Sequence, residues 1–477
     1  MRIPPSAMAF IAPASNRKPT WIQQQTLVRT DTVNRNQMTL SQERISEALD
    51  KSTSGFLATS SLLSNVGKMD ASQKNYHDES RLYSRMVEAQ STEGYSPDYY
   101  KPGEVRTSQS FSVTIETQEG DLVTIEIAKT EGTFKGSSET YTGAYFNYEV
   151  EGNLNAQEQE ALNELAVALG GASQSYFSNN SLSLKAAKAM DSDQLSSFDL
   201  KLVNESDTAS FSFEVSEQQQ NLSVEQNDYT ANITIDLSQI IPGSNLLKAE
   251  GYLDQLDLID RTAKTLDDTR HDPMSVASFF KGVLDAAFSS ATNNANLDPS
   301  LNKEDKDPIQ RSKEYLSGLP DFKASFASKF TRPNPDKKYE ENGFSLKMGQ
   351  KTHVEEKGGL THVFQVFTGD MISMQHKSTA ALMAPDFDTQ SYKYSVESLN
   401  KTTTREVILN KTDVIDATME VREEEEKSED TFEMGELTER SVSGKRSVAY
   451  YSIAGINQVG YHLRDYEEES HYNLQKF

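Results

Sequence analysis

Strict alternation of apolar and polar residues frames residues 110–127, Ser-Phe-Ser-Val-Thr-Ile-Glu-Thr-Gln-Glu-Gly-Asp-Leu-Val-Thr-Ile-Glu-Ile. Phe111, Val113 and Ile115 point one way, and Val123, Ile125 and Ile127 repeat the pattern after Gly120-Asp121. Period two on both sides of a short glycine-containing turn predicts an antiparallel hairpin with one packed and one wet face. Phe146, Tyr148 and Val150 supply a third strand. The apolar side of this hairpin needs a cover, and the residues that follow provide one. Asn155 with Glu158 has capping-box spacing. Leu162, Leu165, Ala166 and Leu169 form a stripe of helical period, and Gly170-Gly171 is expected to end that helix. A second helical region over 175–190 and a strand over 195–202 come next.

Residues 209–292 repeat the plan. Strands are expected at 209–215 and 229–237. Tyr252, Leu256, Ile259, Ala263 and Leu266 are spaced as one helix face. Asp272-Pro273 opens another helix, whose Val276, Phe279, Phe280, Val283, Leu284 and Phe288 make a wide apolar side. The aromatic pairs at 176–177 and 279–280 stand at similar points of the two halves, as an old duplication would leave them. Beyond residue 319 the pattern is mainly alternating, with short turns, as in an antiparallel meander. Residues 422–430, Arg-Glu-Glu-Glu-Glu-Lys-Ser-Glu-Asp, are too charged for a core and are expected as a loop or solvated tip.

Residues 1–107 are polar, with few large apolar side chains, and are expected to be a largely disordered arm carrying two short helices. One follows Thr39 and Gln42 and places Ile45, Ala48 and Leu49 on one face; the other pairs Leu82 with Met86. The expected organisation is this arm, a sheet-plus-helix unit at 108–203, a related unit at 204–295, a linker at 296–318 and an antiparallel β-rich region at 319–477. The fold class is α+β: antiparallel sheets with helices packed on one face, a β-rich C-terminal region and a disordered N-terminal segment.

The hairpin, the capped acidic helix at 155–171, the aromatic pair before the polar turn at 178–180, the alanine-rich stretch at 186–189 and the Leu-Phe strand resemble a family of uncharacterised proteins from marine gammaproteobacteria. The likeness covers about residues 108–203. Where an acidic or glycine residue is usual in the polar turn, this chain has Ser178-Asn179-Asn180. The resemblance implies a bacterial source and carries no activity or cofactor.

Composition narrows the functional classes. The 477 residues carry a formal charge of −25, with 36 % hydrophobic and 25 % charged residues. Such a surface repels phosphate, so nucleic acid and anionic membranes are poor partners, while a basic protein or weakly held divalent cations are favoured. No stretch of about 18 apolar residues suggests a membrane span. The start, with Pro4, Pro5 and Pro13, reads as a non-signal, and the expected location is cytoplasmic. With no cysteine, thiolate metal sites, disulfides and cysteine nucleophiles are excluded. Phosphate-loop, dinucleotide and serine-elbow motifs are absent. Asp191, Asp193 and Asp199 lack the glycine and terminal glutamate of a calcium loop.

The remaining candidate chemistry is His353, His362 and His376 near Asp370, residue types that could ligate zinc or iron from adjacent strands, although no tight metal spacing links them. No catalytic residue and no cofactor is assigned. The expected function is that of a non-catalytic bacterial interaction or structural protein. The alternatives are a metal-dependent hydrolase with its site in the C-terminal β region, and a secreted or surface adhesin-like protein.

Overall fold

The computed structural model describes residues 26–29, 40–53, 57–69, 74–84, 102–134, 140–190, 192–240, 245–266, 273–295, 307–379, 384–453 and 462–466. Alternation prevails over most of this length, and it yields one antiparallel sheet of sixteen strands among the described residues. The 110–127 segment lies in the hairpin of β3 (Pro102–Thr117) and β4 (Leu122–Phe134). Val113 stands opposite Ile125 and Ile115 opposite Val123. Gly120 turns the chain at φ +90°, a conformation that costs a residue with a Cβ. β4 pairs on its far side with β5 (Thr140–Glu151), and β3 with β6 (Leu195–Asn204). Neither strand of the hairpin is therefore an edge.

Outside β5, β2 (Asn75–Ser84) and then β1 (Thr26–Arg29) complete one end of the sheet. From β6 onward each strand pairs with the next in sequence. β7 (Asp207–Val215), β8 (Gln219–Gln226) and β9 (Tyr229–Asp236) lead to β10 (Phe322–Ser328) and β11 (Gly343–Lys357). β12 (Leu360–Lys377), β13 (Tyr392–Asn410), β14 (Asp413–Glu433), β15 (Glu436–Ser452) and β16 (His462–Tyr466) finish it. The sheet runs without interruption across the expected boundary between residues 203 and 204. It also joins 204–236 to the region after 319 through the β9–β10 pairing.

Six helices are described: α1 (Leu40–Ser52), α2 (Thr59–Leu63), α3 (Ala156–Asn179), α4 (Glu250–Lys264), α5 (Pro273–Ala295) and α6 (Pro308–Ser312). The alternate strand residues Phe111, Ile125, Phe146, Phe198, Phe211 and Ile233 share one buried core with Leu162 and Leu165 of α3 and Phe280 and Phe288 of α5. Alternate positions between the buried ones, such as Thr114, Glu116 and Glu214, are exposed. Phe280 meets Phe326 at 4.9 Å between centroids, and Phe198 meets Phe211 edge-on at the same separation. Such tilted contacts suit the aromatic quadrupole and add to the area buried. No helix among the described residues is long and apolar enough to cross a membrane, which says nothing about strands.

Several sequence expectations change. The capping box at Asn155 forms: its side chain accepts from the backbone N–H of Gln157 and Glu158, and Glu158 accepts from the Asn155 N–H at 2.8 Å. The helix does not stop at Gly170-Gly171, however. It continues to Asn179, and Asn180 caps it at φ 54°. Gly170 is a point of close approach: a Cβ there would meet the Cα of Ser60 at 3.1 Å, where α2 crosses α3. Gly171 faces open space.

Within the expected arm, residues 40–53, 57–69 and 74–84 are built into this architecture, and Ile45, Ala48 and Leu49 of α1 are buried in the common core. The helix expected around Leu82 is strand β2 where it is described; Tyr76, Asp78 and Ser80 alternate inward, a period of two. Met86 lies outside the described residues, as does the 296–306 part of the linker. The acidic run 422–430 is not a tip. It lies inside β14, paired with β13 on one side and β15 on the other. Its charges are tolerated because every one of these positions is exposed or half-buried.

Two outcomes follow from this packing. Gly171→Ala is expected to raise stability by about 0.5–1 kcal/mol through helix propensity, whereas Gly170→Val crowds α2 and costs about 1–3 kcal/mol, both read from urea unfolding. Burial also pushes the phenols of Tyr148 and Tyr176 up to about 12, with the charge of Asp207 adding to the effect on Tyr176. In an unfolded chain both titrate near 10. Their contribution is complete below pH ~10 and is lost as pH rises through about 12, because the unfolded state releases those protons first. Phenolate absorbance of the folded protein should show a late-titrating fraction that moves to the ordinary range in denaturant; its absence would mean that these rings are wet.

Candidate functional site

The most concentrated polar chemistry in the described structure gathers around His376, near the end of β12. A strap, residues 329–342, leaves β10 and returns to β11, closed by an isolated bridge between Thr331 and Asn342. Pro333 and Pro335 stiffen its outward run by fixing φ. The strap brings Glu340 and Asn342 onto His376 and Asn334 onto Tyr392 of β13. His376 Nε2 lies 2.8 Å from Glu340 Oε2, and His376 Nδ1 lies 2.5 Å from Asn342 Oδ1. The backbone N–H of His376 also donates to Asn342 Oδ1 at 2.8 Å, which orients the amide. Both ring nitrogens thus lie within hydrogen-bonding distance of an oxygen, Nε2 of the Glu340 carboxyl and Nδ1 of the Asn342 amide.

Aromatic rings surround the imidazole. The rings of Tyr394, Tyr392 and Phe387 stand 4.8, 5.1 and 5.1 Å from the imidazole centre. Tyr392 donates its hydroxyl to Glu340 Oε2 at 2.8 Å and accepts from Asn334 Nδ2 at 2.9 Å. Burial, then the hydrogen bond and charge of Glu340, hold the Tyr392 phenol far above its usual range. Burial is also the main cause of the upward shift at Tyr394, whose hydroxyl accepts from the Glu341 N–H. The side chains of His376 and Glu340 are 0 % and 1 % exposed, so no substrate reaches them in this conformation. What the arrangement does chemically is clasp the strap to β12 and β13.

The other sequence candidates sit elsewhere on β11 and β12. His362 faces Glu406 of β13, with Nδ1 2.8 Å from Oε1. His353 and His362 both stack on Phe364, at 5.0 and 6.1 Å. His353 is 44 % exposed and lies 3.7 Å from Glu355. Asp370 is exposed, in register with Lys347 and Asn400. Along β12, His362 and Asp370 are eight residues apart, roughly 27 Å, and Asp370 and His376 are six apart, roughly 20 Å. Metal ligands must converge to about 2 Å from one ion, and these positions are spread along a strand instead. Among the described residues no group of three or more His, Asp or Glu side chains is arranged to hold a metal.

A second charged locus was not legible in the sequence. It runs along the seam between α4 and strands β13 and β14. Arg261 binds Glu423 at 3.2 Å and also pairs with Glu425. Lys401, 9 % exposed, lies 3.3 Å from Asp254 and 3.5 Å from Glu423. Arg405 reaches Glu250 at 3.0 Å. Only the alternate residues Glu423 and Glu425 of the acidic run meet α4; Glu424 and Glu426 point to the opposite face, where Glu424 pairs with Arg446 of β15. Glu340 was missed for a related reason: Lys-Lys-Tyr-Glu-Glu-Asn-Gly reads as a solvated turn, and only the strap's return over His376 buries it. The alternation of Tyr392 and Tyr394 was the one local signal of a covered surface there.

No protein-family model, curated protein or solved structure matches this chain.

Removing one partner of the clasp leaves the other buried without its hydrogen bond. Glu340→Ala or His376→Ala should therefore cost about 1–3 kcal/mol of unfolding free energy. The pair Glu340→Leu with His376→Phe should cost less than the sum of its single changes, because the two partners leave together. Single changes within about 0.5 kcal/mol of the parent would show that the strap is not clasped in solution.

Proposed function

We propose that the protein is a non-catalytic interaction or structural protein of the bacterial cytoplasm that presents a charged sheet surface to a basic protein partner. The observation that carries this reading is the β13–β15 region. β14 has 21 residues and β15 has 17, so the strands reach roughly 70 and 58 Å. Most of their side chains are exposed or half-buried on both faces. A two-sided solvated hairpin of this length buries little of its own surface, and it places an acidic run on a rigid ladder rather than on a mobile loop.

The rest of the molecule supports the same reading. We infer that the helices shelter one face of the sheet, through the core that α1, α3, α4 and α5 share with the strands, and that the opposite face is offered to solvent and partners. The densest polar network is sealed under the strap, where it serves cohesion. Glu420, Glu424, Glu426 and Asp430 line one side of β14, with Arg422, Arg440 and Arg446 pairing some of them. Glu426 is exposed and is the natural contact for a lysine or arginine of the partner.

Charge alone attracts any polycation to a chain at −25, so the test compares position at constant charge. Immobilised poly-lysine peptide should retain the protein at low ionic strength and release it as the Debye length shrinks to about 3 Å near 1 M salt. Glu424→Lys with Glu426→Lys should weaken retention more than Glu116→Lys with Glu119→Lys, a change of equal charge at the exposed β3–β4 turn. Equal weakening by both double variants, or retention insensitive to salt, would contradict the proposal.

A further inference from the structure

Where the first turn of α4 meets β12 and β13 lies a cleft of about 10 Å³, lined by Gly251, Asp254, Ser317, Gln365, Thr403 and Arg405 among others. That is room for about one water-sized molecule. Most of the polar groups around it are committed. Ser317 N–H donates to Gln365 Oε1 at 2.7 Å, and Ser317 Oγ to Gln350 Oε1 at 2.7 Å. Gln350 Nε2 donates to the carbonyls of Leu319 and Pro320, and Gln365 Nε2 to Thr352 Oγ1.

Two groups stand apart. Thr403 is 4 % exposed, and its Oγ1 has no hydrogen-bond partner among the described residues. The Arg405 side chain is 5 % exposed and is paired with Glu250, a 64 % exposed carboxylate. A guanidinium has five N–H donors in a planar fork, so it can meet a further acceptor beside Glu250. Leaving a buried hydroxyl unsatisfied is costly.

We propose that this cleft is a binding site for a single water molecule, which accepts from an Arg405 N–H, donates to the Asp254 carboxylate and exchanges a hydrogen bond with Thr403 Oγ1. Three hydrogen bonds is the usual complement of an internal water. The lining decides the chemical class. A cation is repelled by Arg405, and a halide is repelled by Asp254; a neutral molecule that both donates and accepts satisfies both. Thr403 and Arg405 are two apart on β13 and so lie on the same side, about 7 Å from each other. One water between them and Asp254 joins the first turn of α4 to the sheet, beside the ion pairs that Lys401 and Arg405 make to the same helix.

The test is a high-resolution crystal structure of the full chain, with bromide-soaked crystals and the variants Thr403→Val and Thr403→Ser. The site predicts one ordered water in hydrogen-bond contact with Thr403, Arg405 and Asp254, without bromide anomalous signal. Thr403→Val, which keeps the shape and removes the hydroxyl, should lose or displace that water and raise the unfolding equilibrium constant about tenfold, the typical worth of one hydrogen bond. Thr403→Ser should retain the water. An empty cleft, a bromide peak in it, or a Thr403→Val protein at least as stable as the parent would overturn the proposal, since deleting a hydroxyl that has no partner is neutral or stabilising.

Discussion

An apolar row on a β-sheet must be covered, and in this protein that requirement fixes the architecture. The alternate residues of β3 to β11 are buried together with side chains from α1, α3, α4 and α5 in one continuous core. Backbone hydrogen bonding links the strands laterally, but such bonds contribute little net free energy compared with what their loss would cost. The burial supplies the driving force. It also sets register, because a slip of one residue would turn every apolar side chain to water.

The cover ends at the α4 seam, and the character of the sheet changes there. Over β3–β11 the buried positions are mostly Phe, Val, Ile, Leu and Ala. On β13 they include Lys401, Thr403 and Arg405, each 8 % exposed or less, between Leu399 and Val407. The helix surface changes with them: Glu250, Asp254 and Asp257 of α4 face these cations or Arg261. Buried cations need partners, so the seam is built from ion pairs and polar side chains. Beyond it, β14 and β15 are held mainly by their ladder and by cross-strand pairs such as Arg440 with Asp430 and Lys393 with Glu429. The Lys393 hydrogen bond draws the Glu429 carboxyl below its ordinary range despite partial burial. The sheet thus passes from a core-forming layer to a solvated one, and the proposed interaction surface is that solvated extension.

What was legible in the sequence was whatever depends on near neighbours. The hairpin register, the Asn155 capping box and the buried stripes of α3, α4 and α5 are all set by residues within a few positions of each other. Gly170 was misread because its reason is 110 positions away, at Ser60 on α2. β8 went unread because only Leu222 and Val224 break a run of polar residues; its neighbours β7 and β9 make it a strand. The run 422–430 was misread because charge was taken to forbid sheet, whereas charge forbids only burial. The same holds for the candidate site. His376 was singled out, but its partner Glu340 is brought by a strap whose course no local pattern encodes, and the expected companions His353, His362 and Asp370 are spread along β11 and β12.

The central claim is that residues once readable as two units plus a separate β region form one sheet over one shared core. Native-state hydrogen exchange followed by mass spectrometry tests it most directly, because amides that open only in a common unfolding event exchange with a common free energy. The account predicts that amides of β3 to β11, including both sides of the 203–204 and β9–β10 junctions, form one slowest-exchanging group, with β14 and β15 opening at lower free energy. Separate exchange of 108–203, 204–240 and 319–377, each with its own opening free energy, would contradict it.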